Sequence, residues 1–251
     1  MATKKGRQLD FSNAPRNLDH HPFFGLQLDE DQLQFANAIW SSDNDIIFVD
    51  AAAGSGKTTV AVSTAVLLCK YGLYDDIVYV MHPISDSQGY LPGTITEKSS
   101  VYFEALYQAL ITANEMPEQV IRNTSMAYDK QGLAFVTAIT DSYLRGSNIG
   151  GNSKTVLIVD EAQNLTPHEV KTIISRCGED TKMVLTGDPH QIDNPYLDEE
   201  SISPEDALSE ENYIDPYDTG ADTGSLLVAG NVSGGAGTAY PYAGATPIPL
   251  T

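Results

Sequence analysis

The sequence predicts an α/β fold, a mostly parallel sheet flanked by helices. Three observations predict it. Apolar runs alternate with amphipathic stretches from residue 29 to 196, two of those runs end in an acid, and one leads directly into a glycine-containing turn that opens a helix. Wholly apolar runs suit strands covered on both faces, and strands alternating with helices imply right-handed crossovers in a parallel sheet.

The elements follow in order. Asp29 is the expected N-cap of a first helix, with Leu33, Ala36, Ile39 and Trp40 at helical spacing. IIFVDA, 46–51, reads as a buried strand. The stretch from Thr58 to Tyr71 reads as a helix closed by Gly72. IVYVM, 77–81, is a second buried strand, followed by a helix from Ser99 to Glu115. LAFVTAI, 133–139, and TVLIVDEA, 155–162, are the third and fourth strands. Thr166, Pro167 and Glu169 form the pattern of a capping box with Pro at the first helical position, for a helix reaching about Cys177. KMVLTGD, 182–188, is the fifth strand.

Composition bounds the function. The chain has 251 residues, with 14 Lys plus Arg against 34 Asp plus Glu, a formal charge of −20. That size suits one domain with appendages. An acidic balance excludes a non-specific duplex binder that relies on a broad basic footprint, while a local basic channel stays open. Residues 1–28 read as an N-terminal arm, 29–196 as the domain, and 197–251 as a tail. The tail carries ten acids and no Lys or Arg, then turns rich in Gly, Ala, Thr and Pro. It is expected to be disordered, because it buries too little to offset its ordering entropy. No apolar run is long enough to span a membrane, and no apolar segment follows the basic N-terminus. Cys69 and Cys177 fall in helices without CxxC spacing, so free thiols are expected. His20, His21, His82, His168 and His190 show no metal-ligand spacing.

Three motifs carry chemistry. AAAGSGKTT, 51–59, sits between a strand and a helix, the context of a phosphate-binding loop. There the backbone of Ala53, Gly54, Ser55 and Gly56, with Lys57, Thr58 and Thr59 at the helix start, is expected to cradle the phosphates of ATP. Lys57 would reach the β- and γ-phosphates and the Thr58 hydroxyl would hold Mg2+. Ala51 stands where the pattern asks for Gly. In VLIVDEAQN, 156–164, Asp160 would hold Mg2+ through water and Glu161 would act as general base on the attacking water. In MVLTGDPHQI, 183–192, Gln191 is placed to contact the γ-phosphate and report its presence.

In that order, these motifs resemble the first RecA-like domain of superfamily one helicases. GYLPG (89–93) with Lys98, SYLRGSNI (142–149) and SRCGEDTKMVLTGDPHQID (175–193) narrow the resemblance to the PhoH-like ATPases, over about residues 29–196. The resemblance implies a P-loop, RecA-like ATPase that acts on RNA or single-stranded DNA, assembles as a hexameric ring and works in the cytoplasm of a bacterial or phage-infected cell. It also implies an adenine-reading role for Gln32, in LDEDQLQF, whose other reading is a surface Gln on an amphipathic helix. Arg145 is either a catalytic arginine acting on the γ-phosphate or a residue of a nucleic-acid-facing loop. Arg176 reads as a cation complementing a helix C-terminus.

The chain departs from that family in two places. His82 stands where the family usually has Arg, and no match follows Gln191 for the family's further helix, strand and Arg-His-Pro element. The stretch after Gln191 is too short for a second RecA-like domain, so ATP is expected between subunits of a ring. A small-molecule kinase is disfavoured by the scarcity of Arg and Lys between the motifs, which offer Arg122 and Lys130. The remaining alternative is a nucleotide-binding scaffold that does not hydrolyse.

Overall fold

The computed structural model describes residues 13–81, 103–122, 134–140, 149, 153–178, 180–188 and 190–192, and the backbone of three short strands at 225–229, 238–241 and 248–249. The elements in chain order are α1 (Glu30–Trp40), β1 (Asn44–Asp50), α2 (Lys57–Lys70), β2 (Asp76–Met81), α3 (Glu104–Thr112), the single turn α4 (Pro117–Val120), β3 (Val136–Thr140), β4 (Thr155–Asp160), α5 (Pro167–Ile174) and β5 (Thr181–Gly187), followed by β6 (Ser225–Ala229), β7 (Thr238–Pro241) and β8 (Ile248–Pro249). The strand order is β3-β2-β4-β5-β1-β6-β7-β8. The first six strands in that order pair in parallel, and β7 and β8 add antiparallel.

The period of two along each strand sorts the core into two faces. Ile47, Val49, Ile77, Tyr79, Val156, Ile158 and Val184 face the α1, α2 and α3 layer. Phe48, Val80, Leu157, Val159, Met183 and Leu185 face the other side, where α5 brings Val170, Ile173 and Ile174. Helix α2 is buried nearly all round, which its apolar composition anticipates. It lies against the sheet with α1 and α3 packed on it.

The caps at Asp29, Gly72 and Thr166 match the sequence cues, while α3 and α5 end at Thr112 and Ile174, about three residues short of the expected ends. Asp29 caps α1 in a full capping box with Gln32, and Thr166 caps α5 in another with Glu169. Gly72, at φ 70°, closes α2, with its N–H bonded to the Cys69 carbonyl. The sequence cues miss α4, a four-residue turn too short to show a period.

Two other segments differ from the sequence reading. Residues 13–28, set apart there as an arm, put Leu18 and Phe23 into the core, and Trp40 Nε1 donates to the Pro15 carbonyl at 2.9 Å. In the segment left without regular structure, the short run SLLVA forms β6 beside β1. Neither Cys69 nor Cys177 forms a disulfide, and burial pushes the Cys177 thiol up to about 12. No helix among the described residues is long and apolar enough to cross a membrane.

Candidate nucleotide site

The site forms at the carboxyl ends of β1, β4 and β5, where ligands bind in open parallel sheets. The loop after β1 turns through Gly54 (φ 78°) and Gly56 (φ 83°). At Gly56 the positive φ calls for glycine, and a Cβ there would also press on Gln32 Nε2 at 3.1 Å. Ala51 has no positive φ, its N–H donates to the Gly187 carbonyl at 3.0 Å, and its methyl is buried. The departure from the loop pattern at Ala51 therefore costs no backbone strain.

The N-terminus of α2 differs from those of α1 and α5. Gly56 offers no side-chain cap, no acid lies in the first turn, and the first residue is Lys57, only 7% exposed. A buried cation at the positive end of a helix is locally unfavourable, and an anion there offsets it. Among the described residues the buried Ser55 Oγ has no partner. The loop thus suits a phosphate group. Thr59 is half-buried on the first turn. The Ala53 N–H, expected to face phosphate, donates instead to Asp188 Oδ2 at 3.0 Å.

Strand parity assembles the second half of the site. Asp160 follows Val156 and Ile158 on the α2 face, Thr186 follows Val184, and Tyr79 follows Ile77. The Asp160 carboxylate accepts four hydrogen bonds. Oδ2 takes Thr58 Oγ1 at 2.8 Å and Tyr79 Oη at 2.6 Å, and Oδ1 takes Thr186 Oγ1 at 2.6 Å and the Glu161 N–H at 3.1 Å. Burial first, then the charge of Asp160, raises Tyr79 well above the ordinary tyrosine value, so the phenol remains a donor. Thr58 and Asp160 supply hard oxygen donors side by side, which fits Mg2+ held by one carboxylate, a hydroxyl, phosphate and water.

Glu161 adopts a left-handed backbone, φ 57°, as the chain leaves β4. Its Oε2 accepts from Gln163 Nε2 at 2.6 Å. Gln163, 1% exposed, also donates to the Gln191 carbonyl at 3.1 Å, and its Oε1 accepts from the Asp188 N–H at 3.2 Å. Gln191 Nε2 donates to Asp188 Oδ2 at 2.9 Å. Asp188 therefore ties the loop after β1 to the turn after β5, and Gln163 ties that turn to Glu161.

Gln32 is the third residue of the α1 capping box, with Oε1 accepting from the Asp29 N–H at 3.2 Å and Nε2 donating to the Ser55 carbonyl at 2.8 Å. Each end of its amide keeps one further hydrogen-bonding position. The structure thus brings together Gln32, the 53–59 loop, Asp160, Glu161 and Gln191. Arg145, His82, GYLPG and Lys98 lie outside the described residues. Sequence reasoning missed Tyr79, Thr186 and Gln163. The usable signal was a hydroxyl or amide at a position buried by parity, which must find a partner.

The family model described as PhoH-like protein matches residues 27–215. The chain belongs to the PhoH-like family. The match begins close to the domain start read from the motifs and runs past residue 196. Among PhoH-like relatives, Protein PhoH2 of Bacillus subtilis (strain 168) is 35% identical over 159 residues, 62% of this chain and 34% of that one. Protein PhoH of Escherichia coli (strain K12) is 30% identical over 174 residues, 68% of this chain and 46% of that one. The chain spans less than half the length of either relative.

Solved structures with some likeness to this PhoH-like chain include a large terminase from a thermophilic bacteriophage, 14% identical, covering 82% of this chain and 46% of that one at a TM-score of 0.46. Another is the Sulfolobus solfataricus SWI2/SNF2 ATPase core in complex with dsDNA, 14% identical, covering 78% and 41% at a TM-score of 0.45. The fold is a mostly parallel sheet between helices, with a glycine-containing loop leading from β1 into α2.

Proposed function

We propose that this PhoH-like chain binds and hydrolyses ATP with Mg2+, and couples turnover to RNA or single-stranded DNA as a homo-oligomer in the cytoplasm. The observation that carries the reading is the junction of the uncapped α2 N-terminus with Asp160, where the Thr58 hydroxyl donates to the carboxylate at 2.8 Å. In this reading Lys57 and the 54–56 backbone bind the β- and γ-phosphates, and Thr58 and Asp160 hold Mg2+. Bound Mg2+ offsets charge on the phosphate oxygens. Gln32 orients the adenine. Glu161, steered by Gln163, takes the proton of the water that attacks the γ-phosphorus in line with the leaving oxygen. Gln191 reports the γ-phosphate through Asp188 and Gln163. Arg145 is assigned to charge stabilisation on the γ-phosphate.

Phosphate release, measured with and without single-stranded RNA, tests the reading. Wild-type protein is expected to release phosphate and to do so faster with RNA. Glu161→Gln keeps shape and loses basicity, so turnover is expected to fall by about 10²-fold or more while ATP affinity holds, the scale of losing a general base. Wild-type protein that binds ATP and never releases phosphate would establish the scaffold alternative.

A further inference from the structure

Tyr79 is the one hydroxyl-bearing residue of β2, a strand otherwise apolar after Asp76. It is 1% exposed, and its ring packs edge-on against Phe103 with centroids 6.2 Å apart. Its hydroxyl shares Asp160 Oδ2 with the Thr58 hydroxyl. With Thr186 and the Glu161 N–H on Oδ1, each carboxylate oxygen carries two donors. Such a carboxylate has one plane and one rotamer. Removing the Tyr79 donor leaves Oδ2 tethered only by Thr58, the side chain that the cation itself engages.

We propose that Tyr79 is a positioning residue for the divalent cation, holding Asp160 in the plane that serves Thr58 and the metal while touching neither metal nor nucleotide. The inference rests on the reading of Thr58 and Asp160 as the Mg2+ holders. Partners that orient a metal-binding carboxylate contribute about 10–100-fold to metal affinity. Thr186 acts on the other oxygen. Tyr79 is distinguished because it loads the oxygen that faces α2.

Tyr79→Phe in the full chain is the test, because it keeps the ring against Phe103 and deletes only the donor. Mn2+ binding is followed by electron paramagnetic resonance with a non-hydrolysable ATP analogue present, and analogue binding in EDTA is followed by fluorescence. The Mn2+ dissociation constant is expected to rise about 10-fold or more, with analogue affinity in EDTA unchanged. Unchanged Mn2+ affinity, or an equal loss of affinity in EDTA, would overturn the proposal. Wild-type protein without metal-dependent analogue binding would overturn the nucleotide reading and this proposal together. Wild-type binding with an unaffected Tyr79→Phe variant would overturn this proposal alone.

Discussion

Gly187 is needed at the end of β5 because Gln163 packs directly on it. A Cβ there would stand 3.0 Å from Gln163 Oε1 and 3.2 Å from the Gln163 backbone nitrogen. The side-chain oxygen can swing away only by releasing the Asp188 N–H, and the backbone nitrogen must give by a few tenths of an ångström. Gly187→Ala is therefore expected to destabilise by roughly 1–3 kcal/mol, the usual cost of overpacking. Urea unfolding would measure it, and a midpoint equal to wild type would show that the turn after β5 yields freely. Gln163 itself was not legible as a site residue. Within VLIVDEAQN its position carries no role, and its three partners are Glu161, just after β4, and Asp188 and Gln191 in the turn after β5. Gly54, Gly56, Lys57 and Thr58 were legible as a local strand–loop–helix junction, and Asp160 as the acid that ends an apolar strand, but not their meeting across 102 residues of chain.

At the scale of the element, the helices nearest the site begin in two ways. Helices α1 and α5 each open with a capping box, and α2 opens with Gly56 and Lys57. The capping boxes serve stability, since each returns hydrogen bonds to otherwise orphaned N–H groups. Thr166→Ala is expected to cost about 1 kcal/mol, the typical loss for an N-cap. Nucleotide affinity should not change, because α5 packs on the sheet face opposite α2. Thermal unfolding and calorimetric titration with an ATP analogue check the two halves. A large loss of affinity would show that α5 positions Glu161 and Gln163. The Thr166–Glu169 box was legible from its spacing, whereas for α1 only the cap Asp29 was, and the return bond of Gln32 came from the structure. Helix α4 was not, since a single turn has no period to read.

At the scale of the whole molecule, Lys182 joins the far end of the sheet to the turn between α1 and β1. It is 1% exposed, and its ammonium donates to the carbonyls of Ser41, at 2.8 Å, and Asn44. Burial pushes its pKa down to about 8, against the raising charges of Asp45 and Asp43. The folded value lies below the ordinary 10.5, so the unfolded chain binds more protons between these two values. Stability is therefore expected to rise with pH from about 8 to 10.5, the charged-state penalty being fully present below that window. Lys182→Met removes this rise. Urea midpoints for wild type and variant across the window measure it, and parallel curves for the two proteins would show that the buried ammonium carries no penalty.

Sequence alone fixed the strand–helix alternation, the two glycines of the loop after β1, the Asp29 cap, the Thr166–Glu169 capping box and the carboxylate at the end of β4. Each depends on spacing within a few residues, where periodicity and backbone geometry act directly. Only the tertiary structure decided the strand order, the place of β6 beside β1, the burial of Leu18 and Phe23, and the company of Asp160. Thr58 and Tyr79 reach Asp160 across 102 and 81 residues of chain. Parity placed Tyr79, Asp160 and Thr186 on the α2 face, but no local rule states which strands become neighbours. That is settled when two apolar sheet faces and the helices that cover them are buried together, and the polar groups caught inside must find one another.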